Sequence, residues 1–388
     1  MDFIEQEFSV KFNYKIYFTS AIFNIQNTLF DDFLKEKKTN SIQKIFFVID
    51  ENVANAHKNL VPEIYAYFKK YTSIFLVEDI LIVPGGEVVK NNLSLFNHIV
   101  EAVHLNGIDR HSYIAVIGGG SLLDVAGYAA AVAHRGIRHI RISTTTLSQN
   151  DSGIGVKNGV NYLHKKNFLG TFVPPFAVFN DDQFLLSLDE RNWRSGISEA
   201  IKVALIKDAV FFSWIENNAP QLVARDLTTM NYLVRRCAEL HLQHIAGDDP
   251  FEMGSSRPLD FGHWSAHKLE QLTNFEILHG EAVAMGIALD SVYSAFSGKI
   301  SLDSATKIID LLQHLGFAIT HPFMQLENDS ALLDGLNEFR EHLGGQLTIM
   351  LLCAIGKGEE VHEIDTAILK TAAQYLQGYA LTKPNTFN

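Results

Sequence analysis

The segment Asp260-Phe261-Gly262-His263-Trp264-Ser265-Ala266-His267, followed by His279-Gly280-Glu281, carries side chains suited to hold a metal ion. His263 and His267 are four residues apart, so a helix sets both on one face. His279 opens a second segment of helical character. A carboxylate stands upstream at Glu199, within Ser198-Glu199-Ala200-Ile201-Lys202. Two imidazoles and a carboxylate, with one coordination position left open, form a common catalytic site for zinc or a similar divalent ion. The chain has 16 histidines, and two surface helices that merely carry histidines would show the same pattern.

A second group of residues has the makings of a nucleotide site. Gly118-Gly119-Gly120-Ser121-Leu122-Leu123-Asp124 follows an apolar run and opens a helical pattern. Backbone amides without side chains, at a helix N-terminus, can cradle phosphate. The run is not the GxGxxG fingerprint, and an ordinary tight turn reads the same way. Asp50 and Asn52 stand just past another apolar run, where ribose hydroxyls are often held. Glu87 and Lys90 follow the turn at Pro84. A dinucleotide lying across these strand ends is one reading; a set of structural turns is the other.

These residues need a scaffold, and the patterning supplies one. Residues 45–49, 80–83, 113–117, 139–142 and 177–179 are short apolar runs that read as strands. Helical patterns alternate with them, as over 93–106 and 124–134. That alternation predicts an α/β domain with a mainly parallel sheet. Beyond about residue 184 the long segments are helical: 194–207, 209–219, 229–245, 263–272, 280–297, 301–315 and 366–376. One further strand is expected within 347–352. The expected division is a nucleotide-type domain over 1–183 and a mainly helical domain over 184–388.

Composition excludes several classes. The formal charge of −12, without a dense Lys/Arg stripe, argues against nucleic-acid binding. The most membrane-like run, Ile114 to Ala133, contains Asp124 and three consecutive glycines, which suits a spanning helix poorly. The only cysteines, Cys237 and Cys353, lie among apolar neighbours and read as buried free thiols. The acidic N-terminus is unlike a basic signal peptide. The expectation is a cytoplasmic protein that meets neither membrane nor nucleic acid.

Several motifs follow one another at the spacing of a known family. They are Gly118–Asp124, His134-Arg135-Gly136, Thr144-Thr145, Asp151 through Lys157 to Asn161, and Lys166-Asn167. Glu199-Ala200-Ile201-Lys202, Gly262-His263, His267, Glu270 and His279–Ala284 continue the match. Together they resemble 3-dehydroquinate synthase and its relatives, the sugar phosphate cyclases, over most of residues 45–300. The resemblance implies an α/β N-terminal Rossmann-like domain plus an all-α C-terminal domain, with the active site in the cleft between them. It also implies bound NAD, a divalent metal (zinc or cobalt) and a homodimer.

Residue by residue, the resemblance implies metal ligands at Glu199, His263 and His279. It implies NAD contacts at Asp50, Asn52, Glu87, Lys90, Gly119, Gly120, Asp124, Thr144, Thr145 and Leu147. Substrate and catalytic positions fall at Asp151, Lys157, Lys166, Asn167, Lys202 and His267. Arg135 matches a residue that reaches the substrate phosphate of the neighbouring subunit. The implied chemistry oxidises one hydroxyl of a sugar phosphate, eliminates phosphate, restores the alcohol and closes a carbocycle by an intramolecular aldol step. There is no net redox change.

The departures concern the substrate. Where dehydroquinate synthase carries an Arg for the substrate carboxylate, this chain has Ser256, with Arg257 one residue late. An Asn of the family is Asp260, and a helical Lys falls near His241-Leu242. The family's Lys-Lys loop is replaced by the stretch from Glu338 through His342 to Gly345. Fewer cations disfavour a carboxylate-bearing substrate. An added Asp suits extra hydroxyl donors. The pattern is more similar to the 2-epi-5-epi-valiolone synthases, which cyclise sedoheptulose 7-phosphate and in which Asp260 and His342 are expected. Residues 257–270 also look like the EboD-type cyclases. Asp260 could instead simply cap the following helix. Two alternatives share many of these parts: 3-dehydroquinate synthase proper, and an NAD-dependent polyol dehydrogenase of the glycerol dehydrogenase type.

Overall fold

The computed structural model describes residues 2–163, 165–247, 250–251, 259–326, 330–342 and 345–382, with the backbone alone at 342. The N-terminal half contains β1 (Ile16–Thr19), β2 (Lys44–Asp50), β3 (Phe75–Leu76), β4 (Leu81–Val83), β5 (Tyr113–Gly118) and β6 (Arg138–Ser143). A hairpin of β7 (Lys157–Tyr162) and β8 (Lys165–Phe172) precedes β9 (Ala177–Asp181). The main sheet runs in the order β1-β9-β6-β5-β2, and β3 and β4 both pair with β2. Every pairing in it is parallel.

The unbroken apolar runs of β2 and β5 follow from burial on both faces. Ile45, Phe47 and Ile49 enter one core with Phe23, Phe30, Tyr67 and Phe179. Phe46 and Val48, pointing the other way, enter a second core with Val116, Leu122 and Ala126. Register brings the strand ends level: Asp50 pairs with Val83, Ile49 with Ile117, and Gly118 with Ser143. The residues just beyond these ends therefore share one edge of the sheet, where open parallel sheets bind ligands.

The helix entered from the glycine turn spans Gly120–Val132, starting four residues earlier than its periodicity suggests. It stops at Val132 because His134 and Arg135 take left-handed backbone angles, φ 51 and 62. The β7–β8 hairpin lacks a sequence signal. Its strand Lys157-Asn158-Gly159-Val160-Asn161-Tyr162 has no apolar alternation, and only Val160 enters the core beneath it.

Among its described residues the C-terminal half is helical apart from one hairpin, β10 (Ile349–Ala354) and β11 (Lys357–Val361). One core extends from Leu185 to Leu376. The helix His279–Phe296 runs through its centre and is buried continuously from Ala282 to Ser294, as expected of a helix that is apolar nearly all round. The helix Ala331–His342 lay outside the periodicity-based expectations. Cys237 is buried as expected, whereas Cys353 is only half-buried, and both are free thiols. Cys353 sits beside the register shift of the hairpin and donates to Lys357 O at 3.4 Å.

Glycines set the approach of the three helices that matter most. A Cβ on Gly280 would lie 2.2 Å from Ser195 O, and one on Gly286 would lie 1.9 Å from Gly262 O. Only glycine at these positions lets the backbones of Glu190–Lys207 and His263–Leu272 come this close to His279–Phe296. Gly262 itself turns the chain with φ 76.

Candidate active site

Those contacts bring Glu199, His263 and His279 together, with ligand atoms within 4.8 Å of one another. Glu199 Oε1 lies 3.5 Å from His263 Nε2 and 3.2 Å from His279 Nε2. The other ring nitrogens are engaged elsewhere. His263 Nδ1 lies 3.1 Å from Phe261 O, and His279 Nδ1 lies 3.1 Å from Glu270 Oε2. A carbonyl and a carboxylate can only accept, so each Nδ1 carries the hydrogen. In the neutral rings, both Nε2 lone pairs then face a carboxylate oxygen. With the Nε2 protons off, three acceptors converge on one space, an arrangement that fits a divalent cation.

Burial alone would depress His279, but Glu270, with Glu199, lifts it to about 9. A proton and a metal ion compete for that same lone pair. Burial would likewise raise Glu199. Lys202, with Nζ 2.5 Å from Oε2, and His263 outweigh it and hold the carboxyl well below its usual range.

Charged groups extend outward from the triad on two sides. On one, Glu270 takes Lys166 Nζ on both oxygens, at 2.9 and 2.8 Å. Burial opposes ionisation of Glu270, yet Lys166 and His279 hold it far below the ordinary carboxylate value. On the other, Lys202 lies 3.9 Å from Asp151 Oδ2, and Asp151 Oδ1 lies 2.8 Å from His241 Nδ1. Burial would raise Asp151, but Lys202 and His241 lower it. The Lys202 ammonium is raised above its usual value, since Glu199, Asp151 and Asp260 outweigh the cost of burying it.

His267 meets His263 edge to face, with ring centroids 5.4 Å apart, and stacks on His279 at 5.9 Å. Burial, with Lys166 and His263 beside it, depresses His267 well below its usual value. A second potential ligand group, His267, Glu270 and His279, shares His279 with the first.

Along the sheet edge, Asp50 caps the helix Glu51–Ala56 by accepting from Asn52 N at 2.8 Å. Burial pushes the Asp50 carboxyl up. Lys90 is buried and donates to Asp124 Oδ2 at 2.8 Å and Asn167 Oδ1 at 2.5 Å. Asn167 is thus tied to Lys90, and through it to Asp124, rather than to the triad. Glu87 accepts from Ser121 at 2.5 Å. Gly119 caps the helix that begins at Gly120, and a Cβ on Gly120 would come 2.4 Å from Ser152 Oγ. Thr144 N donates to Gly118 O, and Thr145 Oγ1 bonds Ser148 Oγ. Leu147 leads into the π-helical turn Ser148–Ser152, which carries Asp151. Lys157 begins β7, and Asn52 is exposed.

Arg135 does not join this cluster, and Asp260 acts on it through its charge beside Lys202. Arg135 is exposed at the far end of the helix Gly120–Val132 from the glycine turn, roughly 20 Å away along a helix of this length. Asp260 is half-buried and does not cap the helix with its side chain. The N-cap is Gly262, and Asp260 gives its carbonyl to His263 N at 3.0 Å. Ser256 and Arg257 lie outside the described residues, as does the side chain of His342.

Sequence comparison left two groups without a role. The position of His241 reads as a lost cation, but its imidazole occupies the place beside Asp151. Glu270 is a motif residue whose grip on His279 and Lys166 depends on helix packing. Trp264, beside His263, is core: it is 2% exposed and donates Nε1–H to Asp290 Oδ1 at 3.0 Å.

The family description "3-dehydroquinate synthase N-terminal" matches residues 80–195, and "3-dehydroquinate synthase C-terminal" matches 196–335. A 3-dehydroquinate synthase of Blochmanniella floridana is 33% identical over 309 residues, 79% of this chain and 84% of that protein. A solved 2-epi-5-epi-valiolone synthase from Streptomyces hygroscopicus subsp. jinggangensis 5008, with NAD+ and Zn2+ bound, superposes with a TM-score of 0.87. It shares 26% identity over 97% of this chain and 100% of that one. A 2-deoxy-scyllo-inosose synthase complexed with carbaglucose-6-phosphate, NAD+ and Co2+ shares the fold, with a TM-score of 0.76. Its identity is 21% over 93% of this chain and 96% of that one. With adjoining models matched across both halves and a third of aligned positions shared with a named member, the chain belongs to the 3-dehydroquinate synthase family of sugar phosphate cyclases.

Proposed function

We propose that this enzyme closes a heptulose 7-phosphate such as sedoheptulose 7-phosphate into a valiolone-type cyclitol, by phosphate elimination and intramolecular aldol closure. The observation that carries the cofactor assignment is the convergence of Glu199 Oε1 and two imidazole Nε2 atoms at 3.2 and 3.5 Å, with both Nδ1 atoms engaged elsewhere. Glu199, His263 and His279 would hold zinc or cobalt. Asp50, Asn52, Glu87, Lys90, Gly119, Gly120, Asp124, Thr144, Thr145 and Leu147 would hold NAD. When bound, the cation supplies Lewis acidity toward a substrate hydroxyl, and NAD supplies a hydride acceptor that is regenerated in each turnover.

The chain's own groups do the rest. Lys202, beside Glu199, offers a buried ammonium to an oxyanion developing near the triad. Asp151, kept ionised by Lys202 and His241, is a proton acceptor with a paired imidazole behind it. Lys157, Lys166 and Asn167, all on the β7–β8 hairpin, offer donors to phosphate. His267, kept neutral by burial, can exchange a proton with the leaving group.

The substrate assignment is supported by Ser256, Asp260 and His241 standing where a carboxylate-binding relative has Arg, Asn and Lys. Asp260 and His342 would take the additional hydroxyls. The division into 1–183 and 184–388 follows the change from sheet core to helical core. Arg135, remote from the site of its own chain, would serve the partner subunit of a homodimer. The protein is read as cytoplasmic.

The 33% identity to a 3-dehydroquinate synthase keeps that activity as a second reading. One assay separates them. Phosphate release should be faster from sedoheptulose 7-phosphate than from 3-deoxy-arabino-heptulosonate 7-phosphate, and without accumulation of NADH. The opposite preference would make this a dehydroquinate synthase, and NADH build-up would make it a polyol dehydrogenase.

A further inference from the structure

Arg141, on β6, is fully buried, at 0% exposure. Its partners are not carboxylates. Nη1 donates to Gly153 O at 3.0 Å and Gly155 O at 2.8 Å; Nη2 donates to Lys157 O at 3.1 Å and Asn158 Oδ1 at 2.7 Å. Tyr14 OH donates to Ile154 O at 2.9 Å, and Val173 N donates to Val156 O at 2.9 Å. Every carbonyl from Gly153 to Lys157 is therefore held, three of them by one guanidinium.

A buried cation without a hydrogen-bonded carboxylate is costly unless its donors are used; here the four Nη hydrogens are used, and Nε has no partner among the described residues. The planar fork of arginine reaches several carbonyls at once, which an ammonium cannot. All four of its contacts fall on one stretch of chain. Just upstream of that stretch, Asp151 meets His241 and Lys202; at its end is Lys157. Gly153 N→Ser148 O at 2.9 Å and Ile154 N→Asp151 O at 3.1 Å tie the stretch to the turn that carries Asp151.

We propose that Arg141, with Tyr14, is a positioning residue that fixes the segment Asp151–Lys157 and thereby sets the substrate-facing groups at both its ends. The roles of those two end groups rest on the proposed function; the anchoring of the segment does not.

The test compares Arg141→Lys and Tyr14→Phe with the parent protein. It reads backbone hydrogen exchange, NAD affinity by titration and turnover of sedoheptulose 7-phosphate. In Arg141→Lys, amides 153–158 should exchange at least about tenfold faster while β2 and β5 keep their protection. NAD affinity should stay within about twofold, and kcat/KM should fall at least about tenfold. Tyr14→Phe should loosen the same segment by about threefold, and it carries the test if Arg141→Lys does not fold. Unchanged exchange, or equal loss across the sheet, would overturn the proposal. So would undiminished turnover with a loosened segment. A loosened segment in a protein that turns over no sugar phosphate even as wild type would retain the anchoring and reject the assigned activity.

Discussion

Glu270 and His279 form a carboxylate–imidazole pair, with Oε2 3.1 Å from Nδ1, and the opposite nitrogen of the ring faces Glu199 at 3.2 Å. The pair fixes the tautomer and orientation of His279. Because Glu270 also takes Lys166, it couples the triad to the β7–β8 hairpin. Glu270→Gln keeps the shape and removes the charge. Metal affinity should fall about 10- to 100-fold, as for other partners of ligating histidines. Competition titration against a chelator measures this, and an affinity within about twofold of wild type would remove Glu270 from the account.

Glu199→Ala and His279→Ala should each lose bound metal and turnover while the fold is kept. The residues lie where helices already pack through glycine contacts at Gly280 and Gly286. Metal analysis of the purified variants, with circular dichroism for the fold, decides the matter. Normal metal content in both would sink the assignment of these ligands.

Gly85 stands against Asp50: a Cβ there would lie 1.9 Å from Asp50 Oδ2. Gly85→Ala must therefore displace the Asp50 carboxylate or the turn itself. If Asp50 holds the ribose of NAD, the dissociation constant should rise about tenfold or more, a loss of about 1.4 kcal/mol. Metal content should not change. Unaltered NAD affinity in a folded variant would remove Asp50 from the nucleotide site.

Asp290 accepts from Trp264 Nε1 and Gly262 N, both at 3.0 Å, and so ties the turn before His263 to the central helix. Burial raises its carboxyl from 3.8 to about 7, against the pull of those two donors. Since the folded value lies above the unfolded one, the folded state binds the proton more tightly between them. The resulting stabilisation is fully present below 3.8 and is lost as pH rises through about 7. Asp290→Asn cannot ionise. Its unfolding free energy should therefore decline less steeply than that of wild type over this window. Denaturant unfolding at several pH values gives both slopes, and equal slopes would contradict a buried, proton-retaining Asp290.

Much of this protein is legible in its sequence. The apolar runs of β2 and β5 mark strands buried on both faces, and the helix His263–Leu272 begins and ends where its periodicity says. The spaced motifs are enough to identify the family. Periodicity, however, reports only which side of its own element a residue occupies. The β7–β8 hairpin escapes it, because backbone pairing rather than an apolar stripe holds Lys157, Lys166 and Asn167 in position.

What meets what was decided by tertiary packing. Asp260 looks like a helix cap, but the left-handed Gly262 takes that place. His241 looks like a missing cation, but the helix Leu227–Ile245 presents it to Asp151. Glu199, His263 and His279 can be picked out along the chain as candidate ligands, together with the elements that carry them. Their convergence depends on backbones meeting at Ser195–Gly280 and Gly262–Gly286, where even a single added methyl group would hold the helices apart.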